Sequence, residues 1–327
     1  MGMKDLARNI ITIKDILKVS FRETGSTLHR NKLFNKSYLE SRMLVVAHSL
    51  EKGMGLPDIK KGFGVKKAKN LCQYIEKYIV QNPDSSNFAL LESIGILKEY
   101  ARFQKSMHIT IDDIQKSLDN ILNSMSESQI YEISKLKCGI YWQDKISLKQ
   151  GVNIDFERFA SSRHSARVYS SQEVTRADIS EAVRLANYAP SACNRQPCKV
   201  YCALGKDSAS KLEELLTGNK AFTSTVSNFV VVTCDRAYFA GDEQYQWYIN
   251  GGIYLSYLVL ALHSLGIGSC IMQWFEFSRN EKRIKHLFDI SASEAIVGIC
   301  CLGYYPESMK CICAQRRTSN DILTFLP

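Results

Sequence analysis

The sequence lacks the short motifs that assign many enzymes to a class. Its 11 cysteines form no CxxC pair, so the usual spacing of zinc ligands and of redox dithiols is absent. No GxxxxGK[ST] phosphate-binding loop occurs, and no GxGxxG motif follows a predicted strand. The segment GIGS at residues 266–269 follows an apolar helix, and we interpret it as the C-cap of that helix. These absences argue against a zinc module, a P-loop protein and a Rossmann dinucleotide-binding unit.

Long apolar runs are also missing. The most apolar stretch, residues 251–265, contains Ser256 and His263 and is shorter than the ~20 residues that cross a bilayer. It predicts a helix buried at the centre of a domain or of a dimer, without membrane insertion. The N-terminal stretch MGMKDLARNIITIKDILKV has charges every few residues and no apolar signal region. With an odd number of cysteines, this favours a protein of the reducing cytoplasm.

Charge is unevenly distributed along the 327 residues, and the net charge of +9 comes mostly from the first half. Residues 1–150 hold 24 Lys and Arg against 16 Asp and Glu, whereas residues 151–327 hold 18 against 17. Such a difference indicates two units with different surfaces. We therefore predict a basic helical N-terminal region over 1–150 and a second domain over 151–327. The basic residues are spread over several helices, so no nucleic-acid partner is expected.

The first half has the apolar periodicity of helices. NLCQYIEKYIV (70–80) and FALLESIGILKEYARF (88–103) place apolar residues three and four positions apart, and NPDSSN between them supplies capping residues. A third helix is predicted after Thr110, where acidic residues fill the first turn. No strand is predicted before residue 150. The basic stretch 48–67, broken by Gly and Pro, is interpreted as a loop between helices; a loop that covers a ligand or docks an acidic partner is the alternative.

The second half alternates helices and strands, which is typical of α/β and α+β proteins. Helices are predicted in the segments RADISEAVRLANYA, DSASKLEELLTG and GGIYLSYLVLALHSLG. Strands are predicted in CKVYCALG, SNFVVVTCD and AIVGICCLGYYP, the last of which is ended by Pro306. Many cysteines fall within these strands, where a free thiol behaves as a small apolar side chain.

A basic cluster precedes the first of these helices. In SSRHSARVYSS, Arg163, Ser165 and Arg167 occupy alternating positions, so an extended backbone would place the three side chains on one face. Arg guanidiniums bind phosphate oxygens in a bidentate manner and Ser adds a hydrogen bond, so the cluster suits a phosphate. A solvated basic turn with a helix cap is the alternative. A second basic pair, Arg316 and Arg317, follows late in the chain.

A polar elbow, APSACNRQP at residues 189–197, separates a predicted helix from a predicted strand. Prolines at its second and last positions restrict the backbone around Ser191, Asn194 and Gln196. A rigid elbow would hold these polar atoms in place before a ligand binds, whereas a plain Asx or Ser turn is the alternative. Arg195, between two residues expected to face inward, is expected to point outward.

Together these features resemble the nitroreductase family of FMN-dependent oxidoreductases over about residues 155–327. The resemblance depends on RHSAR (163–167), the elbow (189–197), the apolar helix that runs into GIGSCIMQWF, the strand AIVGICCLGYYP and the late arginine pair. It implies an α+β, nitroreductase-like FMN-binding fold. In that fold helices flank a central, mostly antiparallel sheet, which is preceded here by the all-helical N-terminal region.

The resemblance also implies a cofactor site. The two arginine clusters would hold the FMN phosphate and ribityl chain, and the elbow would hydrogen-bond the flavin ring or the ribityl chain. Residues after the glycine turn would pass the reactive edge of the ring. No side chain is expected as a general acid or base, because the flavin carries the chemistry at N5. The predicted cofactor-binding residues are Arg163, His164, Ser165, Arg167, Pro190, Ser191, Ala192, Asn194, Gln196, Asn219, Met272, Gln273, Trp274, Arg316 and Arg317.

The activity implied by the resemblance is hydride transfer from NADH or NADPH through the flavin to a small nitro, quinone or biosynthetic acceptor. A homodimer with FMN at its interface is implied as well, and no metal is expected. The alternative is a flavin-binding regulatory or partner-binding protein that acts through its helical half. Two positions depart from the family and bear on substrate preference. Cys198 stands where an aromatic residue usually follows Gln-Pro, and Asn250 replaces a common acidic residue.

Overall fold

The computed structural model describes residues 17, 36–147, 154–216, 226–239, 242–274 and 280–326. No strand occurs between residues 36 and 147, and this part of the chain is helical as predicted. Its helices are α1 (Lys36–Met54), α2 (Val65–Gln81), α3 (Phe88–Ser106), α4 (Asp112–Asn123) and α5 (Glu127–Lys135).

Local sequence explains where several of these helices begin. Asn87 caps α3, because its side chain accepts a hydrogen bond from the backbone N–H of Leu90 at 3.0 Å. Ser126 and Gln129 form a reciprocal capping box at the start of α5. The apolar stripes of the helices meet in one core, whose buried side chains include Leu39, Leu50, Leu71, Ile75, Tyr78, Ile94 and Tyr100.

The connection between α1 and α2 is shorter than the predicted loop at residues 48–67. Helix α1 continues to Met54 and α2 begins at Val65, so the loop spans 55–64. The backbone oxygen of Phe63 accepts hydrogen bonds from Tyr100 Oη at 2.6 Å and Gln104 Nε2 at 3.1 Å. These bonds attach the loop to the helical core, which supports its interpretation as a connection between helices.

From residue 154 onward, helices and strands alternate. The helices are α6 (Phe156–Ser162), α7 (Arg176–Ala186), α8 (Lys206–Glu213), α9 (Gln246–Ser264) and α10 (Glu281–Leu287). The strands β1 (Cys198–Leu204), β2 (Asn228–Asp235), β3 (Ile267–Met272) and β4 (Glu294–Tyr304) form one sheet in the order β1-β2-β4-β3. All neighbouring strands are antiparallel. The predicted α+β class, with an antiparallel sheet and flanking helices after a helical region, is confirmed.

Strand β3 is the element that the sequence patterns do not predict. Leu265 is the C-cap of α9, Gly266 follows it with a φ of +74°, and the strand begins at the next residue. Within the strand, a Cβ on Gly268 would lie 2.8 Å from both the Cβ of Ala166 and the ring of Tyr305. The glycine therefore permits a close approach of the segment that carries the first arginine cluster.

Helix α9 packs across the sheet through small residues. A Cβ on Gly251 would lie 2.3 Å from the Val297 side chain, and a Cβ on Gly298 would lie 2.8 Å from Leu255. The helix begins at Gln246, five residues before the predicted apolar run, so its first turn reaches the elbow. In the described parts of the chain, no helix is long and apolar enough to cross a membrane.

The two halves of the chain meet along α1. This helix contacts two short 3₁₀ helices of the second half, Ala192–Asn194 in the elbow and Arg236–Tyr238 after β2. Tyr238 Oη donates to Glu40 Oε2 at 2.6 Å, and Ser41 Oγ donates to the backbone oxygen of Tyr238 at 2.6 Å. The helical core and the sheet cores are otherwise separate clusters. The division into domains at residues 150 and 151 stays a prediction.

Candidate functional site

The elbow has a strained backbone. Cys193, Asn194 and Gln196 have φ values of 53°, 51° and 47°, in the left-handed region that residues with a Cβ rarely occupy. Six described residues other than glycine have a positive φ, and half of them lie in this one turn. Strain of this kind concentrates at functional sites and persists only when neighbouring contacts enforce it.

Several hydrogen bonds enforce the elbow conformation. Ser191 Oγ accepts from the backbone N–H of Gln196 at 3.0 Å, and Gln196 Nε2 donates to Asn194 Oδ1 at 3.2 Å. Asn250 in the first turns of α9 is 4% exposed, and its Oδ1 accepts from the backbone N–H of Ala192 at 2.7 Å. Asn250, which departs from the pattern of the resemblance, thus attaches the elbow to α9.

The expectation that Arg195 points outward is wrong. The residue is 3% exposed, and its guanidinium makes a bidentate ion pair with Glu243. Its Nη1 also donates to the backbone oxygen of Tyr238 at 2.6 Å, and its Nε donates to that of Ala192 at 2.9 Å. Its guanidinium carbon lies 4.8 Å from the centre of the Phe239 ring. Arg195 is therefore the side chain that attaches the elbow to the segment after β2.

The elbow forms one side of a cleft of about 300 Å³, called here the elbow cleft. Of the predicted cofactor-binding residues, Pro190, Ser191 and Gln196 line it. Asn250 and Tyr254 of α9 form a second side, and Phe88 of the helical half contributes as well. None of the described residues that line this cleft carries a charge. The elbow cleft thus combines apolar surface with neutral hydrogen-bonding groups, which suits an uncharged ring.

A second cleft, of about 660 Å³, contains the first arginine cluster and is called here the arginine cleft. Its lining includes Arg163, His164, Ser165 and Arg167, and Arg316 joins them from the late pair. The structure therefore brings together basic residues that are distant in sequence. A carboxylate, Glu157, also lines this cleft.

The sheet positions the arginine cluster. The backbone N–H of Ala166 donates to the backbone oxygen of Ser269 in β3 at 3.0 Å, and Ser165 forms an isolated parallel bridge with Ser269. The extended conformation expected from alternating positions is therefore present at Ser165. Helix α6, capped by Asp155, leads directly into the cluster at Arg163.

The pKa of the Cys270 thiol, in β3, is lowered, and the arginine cluster is one of the causes. A hydrogen bond with Cys301 lowers the pKa of Cys270 to about 6, despite the opposing effect of desolvation. The charges of Arg167 and Arg163 and a hydrogen bond from Ser165 act in the same direction. All 11 cysteines lie in the described part of the chain and are free thiols, with Cys202, Cys311 and Cys313 exposed.

The other predicted cofactor-binding residues that the structure describes line neither cleft. Met272 is buried at the end of β3, Gln273 is exposed and Trp274 is half-buried. The Trp274 indole Nε1 is buried without a hydrogen-bond partner among the described residues. Arg317 is exposed and, unlike Arg316, does not line the arginine cleft. Asn219 lies outside the described residues.

His263 lies between α6 and the segment after β4. His263 Nε2 lies 2.9 Å from Ser162 Oγ, and its Nδ1 lies 2.9 Å from Tyr305 Oη. Burial, together with the positive charges of Arg163 and His164, lowers the pKa of His263. The ring therefore joins α6 and α9 to the segment after β4. Among the described residues, no group of three or more His, Cys, Asp and Glu side chains could hold a metal ion.

Comparison with known proteins identifies the second half of the chain. Residues 160–304 match the model of the nitroreductase family. This segment is a nitroreductase-family domain. The predicted resemblance is confirmed for these residues, and with it the predicted nitroreductase-like type of enzyme. Both clefts include residues of this domain, whereas Phe88 and Arg316 lie outside the matched residues.

One curated protein and several solved structures are similar to this nitroreductase-family domain. The chain is 24% identical over 160 residues to an Archaeoglobus fulgidus protein named "Putative NADH dehydrogenase/NAD(P)H nitroreductase", with 49% of this chain and 91% of that protein covered. A nitroreductase family protein from Streptococcus pneumoniae is 20% identical, with 53% of this chain and 100% of that chain covered and a TM-score of 0.45. An FMN-dependent nitroreductase from Clostridium difficile is 23% identical, with 51% of this chain and 96% of that chain covered and a TM-score of 0.42.

Proposed function

We propose that this protein is an FMN-dependent oxidoreductase that passes hydride from NADH or NADPH to a small organic acceptor, such as a nitro compound, a quinone or a biosynthetic intermediate. The observation that carries the proposal is the arginine cleft within a nitroreductase-family domain. There Arg163, Ser165 and Arg167 converge with Arg316 from late in the chain. The donor is inferred from the name of the Archaeoglobus fulgidus relative.

The chemistry of the arginine cleft fits a terminal phosphate. Guanidinium groups donate paired hydrogen bonds to phosphate oxygens, and the Ser165 hydroxyl can add a further short one. A hydrogen bond with Cys301 is the main cause of the lowered pKa of Cys270, and the positive charges of Arg167 and Arg163 contribute to it. We assign Arg317, which follows Arg316, to the outer edge of the same phosphate site. His164 would contribute to that site through its backbone.

The elbow fits the uncharged part of the cofactor. FMN, when bound, supplies the hydride-accepting and hydride-donating chemistry. Ser191, Asn194 and Gln196 are held by a strained backbone and by mutual hydrogen bonds before any ligand arrives. Binding therefore requires little ordering of these groups. The segment Met272–Trp274 at the end of β3 is assigned to the ring edge, where the buried indole N–H of Trp274 would find an acceptor.

The two clefts share no lining residue, which supports a site built from two chains. In a homodimer, the arginine cleft of one protomer would hold the phosphate while the elbow of its partner contacts the ring. Ile249 and Tyr257 on α9 are exposed apolar side chains that such a dimer would bury. Asn219 keeps its predicted place near the flavin in this proposal.

The cofactor itself provides the first test. We expect apoprotein incubated with flavins to bind one FMN per chain non-covalently and to discriminate against riboflavin, which lacks the phosphate. Mass spectrometry of the released cofactor after gel filtration should find FMN. Release of FAD, or the absence of any flavin after reconstitution of folded protein, would contradict the proposal.

A further inference from the structure

Two cysteines lie directly opposite each other in the sheet, next to the segment that carries the first arginine cluster. In the pairing of β3 with β4, Cys270 is the partner of Cys301. Ser269, the residue before Cys270, pairs with Ser165 of the cluster. Opposed residues of antiparallel strands point to one face of the sheet, with their Cα atoms about 4.5–5.5 Å apart. A disulfide bridges Cα atoms about 4.4–6.8 Å apart, so the register suits a bond between the two cysteines.

The side chains of this pair contact each other within one core cluster. Cys270 and Cys301 both belong to it and are 6% and 0% exposed. A hydrogen bond joins their thiols, and Cys301 Sγ also lies 3.6 Å from the backbone oxygen of Cys270. Tyr169 Oη lies 3.3 Å from Cys301 Sγ and donates to the backbone oxygen of Ala166 at 2.6 Å. The sulfur of Cys301 is therefore held beside that of Cys270.

The two thiols differ in acidity. The hydrogen bond with Cys301 lowers the pKa of Cys270 to about 6, and the first arginine cluster contributes to this shift. The same hydrogen bond, together with burial, raises the pKa of Cys301. Because the thiolate is the nucleophilic form of cysteine, Cys270 is the attacking sulfur and Cys301 the thiol that can close a bond with it. A low-pKa cysteine beside a second thiol is the arrangement that oxidation converts to a disulfide.

We propose that Cys270 and Cys301 are an oxidative modification site, at which hydrogen peroxide joins β3 to β4 through a disulfide. Cys270 is almost buried, so the oxidant must be small. The Cys270 thiolate attacks one peroxide oxygen, the O–O bond breaks, and the departing hydroxide takes up the proton that Cys270 had released. The Cys301 thiol then attacks the sulfenic sulfur, the S–O bond breaks, and hydroxide leaves with the Cys301 proton as a second water. Two thiols are thereby oxidised to one disulfide, and one peroxide is reduced to two waters.

A second opposed cysteine pair provides an internal comparison. Cys198 in β1 is the partner of Cys234 in β2, so this pair has the same register, and its thiols are also hydrogen-bonded. Burial raises the pKa of Cys234. The pair in β3 and β4 is the one next to the arginine cluster, which stabilises a thiolate there. We therefore expect the disulfide to form faster between Cys270 and Cys301 than between Cys198 and Cys234.

The test treats the full-length protein, freed of reductant, with hydrogen peroxide, both with and without added FMN. The peroxide is then removed with catalase, the remaining thiols are alkylated under denaturing conditions, and the peptides are mapped by tandem mass spectrometry. Cys301→Ala removes the second thiol. Cys300→Ala is the matched control, because Cys300 is adjacent to Cys301 in the chain but belongs to a different core cluster.

We expect the 11 alkylatable thiols of the unmodified protein to fall first by two, with the Cys270 peptide linked to the Cys301 peptide. Dithiothreitol should restore both thiols. Cys300→Ala should form the same link, whereas Cys301→Ala should form no disulfide at Cys270. The pairing should be the same with and without FMN, because the hydrogen bond with Cys301 is the main cause of the lowered pKa of Cys270.

Three results would overturn the inference. They are Cys270 and Cys301 that both stay alkylatable after peroxide treatment, a link between Cys198 and Cys234 that forms at least as fast, and a disulfide at Cys270 that persists in Cys301→Ala. The first two are read from the unmodified protein and do not depend on the folding of a variant. Failure of the proposed function would appear instead as protein that binds no FMN or whose FMN is not reduced, and neither changes the thiol count.

Discussion

Replacing Arg195 by methionine is expected to lower the free energy of unfolding by about 3 kcal/mol, the lower end of the range for breaking a buried ion pair. The variant removes the guanidinium that neutralises Glu243 and its hydrogen bonds to the backbone oxygens of Tyr238 and Ala192, of which Tyr238 keeps the bond from Ser41 Oγ. The lower end applies because Glu243 is partly exposed and can regain water. Urea denaturation, followed by circular dichroism, measures the change.

The control for this prediction is Arg184→Met, which breaks an ion pair of the same chemistry on the surface. The side chains of Arg184 and Glu181 are 58% and 43% exposed, and such a pair contributes less than about 1 kcal/mol. If Arg195→Met were as stable as Arg184→Met, the buried network between elbow and helical half would not hold in solution. A loss of FMN affinity should accompany the loss of stability in Arg195→Met alone, because the elbow would lose its attachment.

Replacing Arg163 by alanine is expected to weaken FMN binding at least tenfold. One hydrogen bond to a charged group contributes about 1.5–3 kcal/mol, and Arg163 lines the arginine cleft beside Ser165 and Arg167. The affinity of riboflavin should hardly change, since it lacks the phosphate. Fluorescence titration of the apoprotein with either flavin measures both values.

Arg176→Ala serves as the matched control for Arg163→Ala. Arg176 is an exposed arginine at the start of α7 and does not line the arginine cleft. Equal FMN affinities for the two variants would contradict the assignment of Arg163 to the FMN phosphate. An equal loss of FMN and riboflavin affinity in Arg163→Ala would place this arginine at the ring or ribityl chain instead.

Local sequence patterns predict many helices and strands of this fold, because local interactions determine where these elements form. The helices at 65–81 and 88–106 follow from apolar residues spaced three and four apart, and Asn87 is a cap by its position before such a run. β2 and β4 follow from runs of β-branched and small apolar residues. β3 does not, because six residues with an internal glycine, directly after an apolar helix, carry no separate periodicity.

Local sequence patterns predict only part of the candidate site. Alternation at Arg163, Ser165 and Arg167 is a local pattern, and the structure places these residues in one cleft. The orientation of Arg195 depends on Glu243, 48 residues later, and no local rule couples the two. Phe88 of the helical half lines the elbow cleft, and the two halves meet along α1, where Glu40 accepts a hydrogen bond from Tyr238. Contacts between distant segments decide such positions, and a single sequence does not display them.

Anaerobic reduction of the FMN-loaded protein tests the central claim most directly. Oxidised protein is mixed with NADH or with NADPH in the absence of oxygen, and a nitro or quinone acceptor is added after the donor is consumed. The proposal predicts that the visible flavin absorbance is bleached in proportion to the donor and returns in proportion to the acceptor. Flavin that stays oxidised with both donors, in folded protein that retains FMN, would contradict an oxidoreductase and favour a flavin-binding regulatory protein.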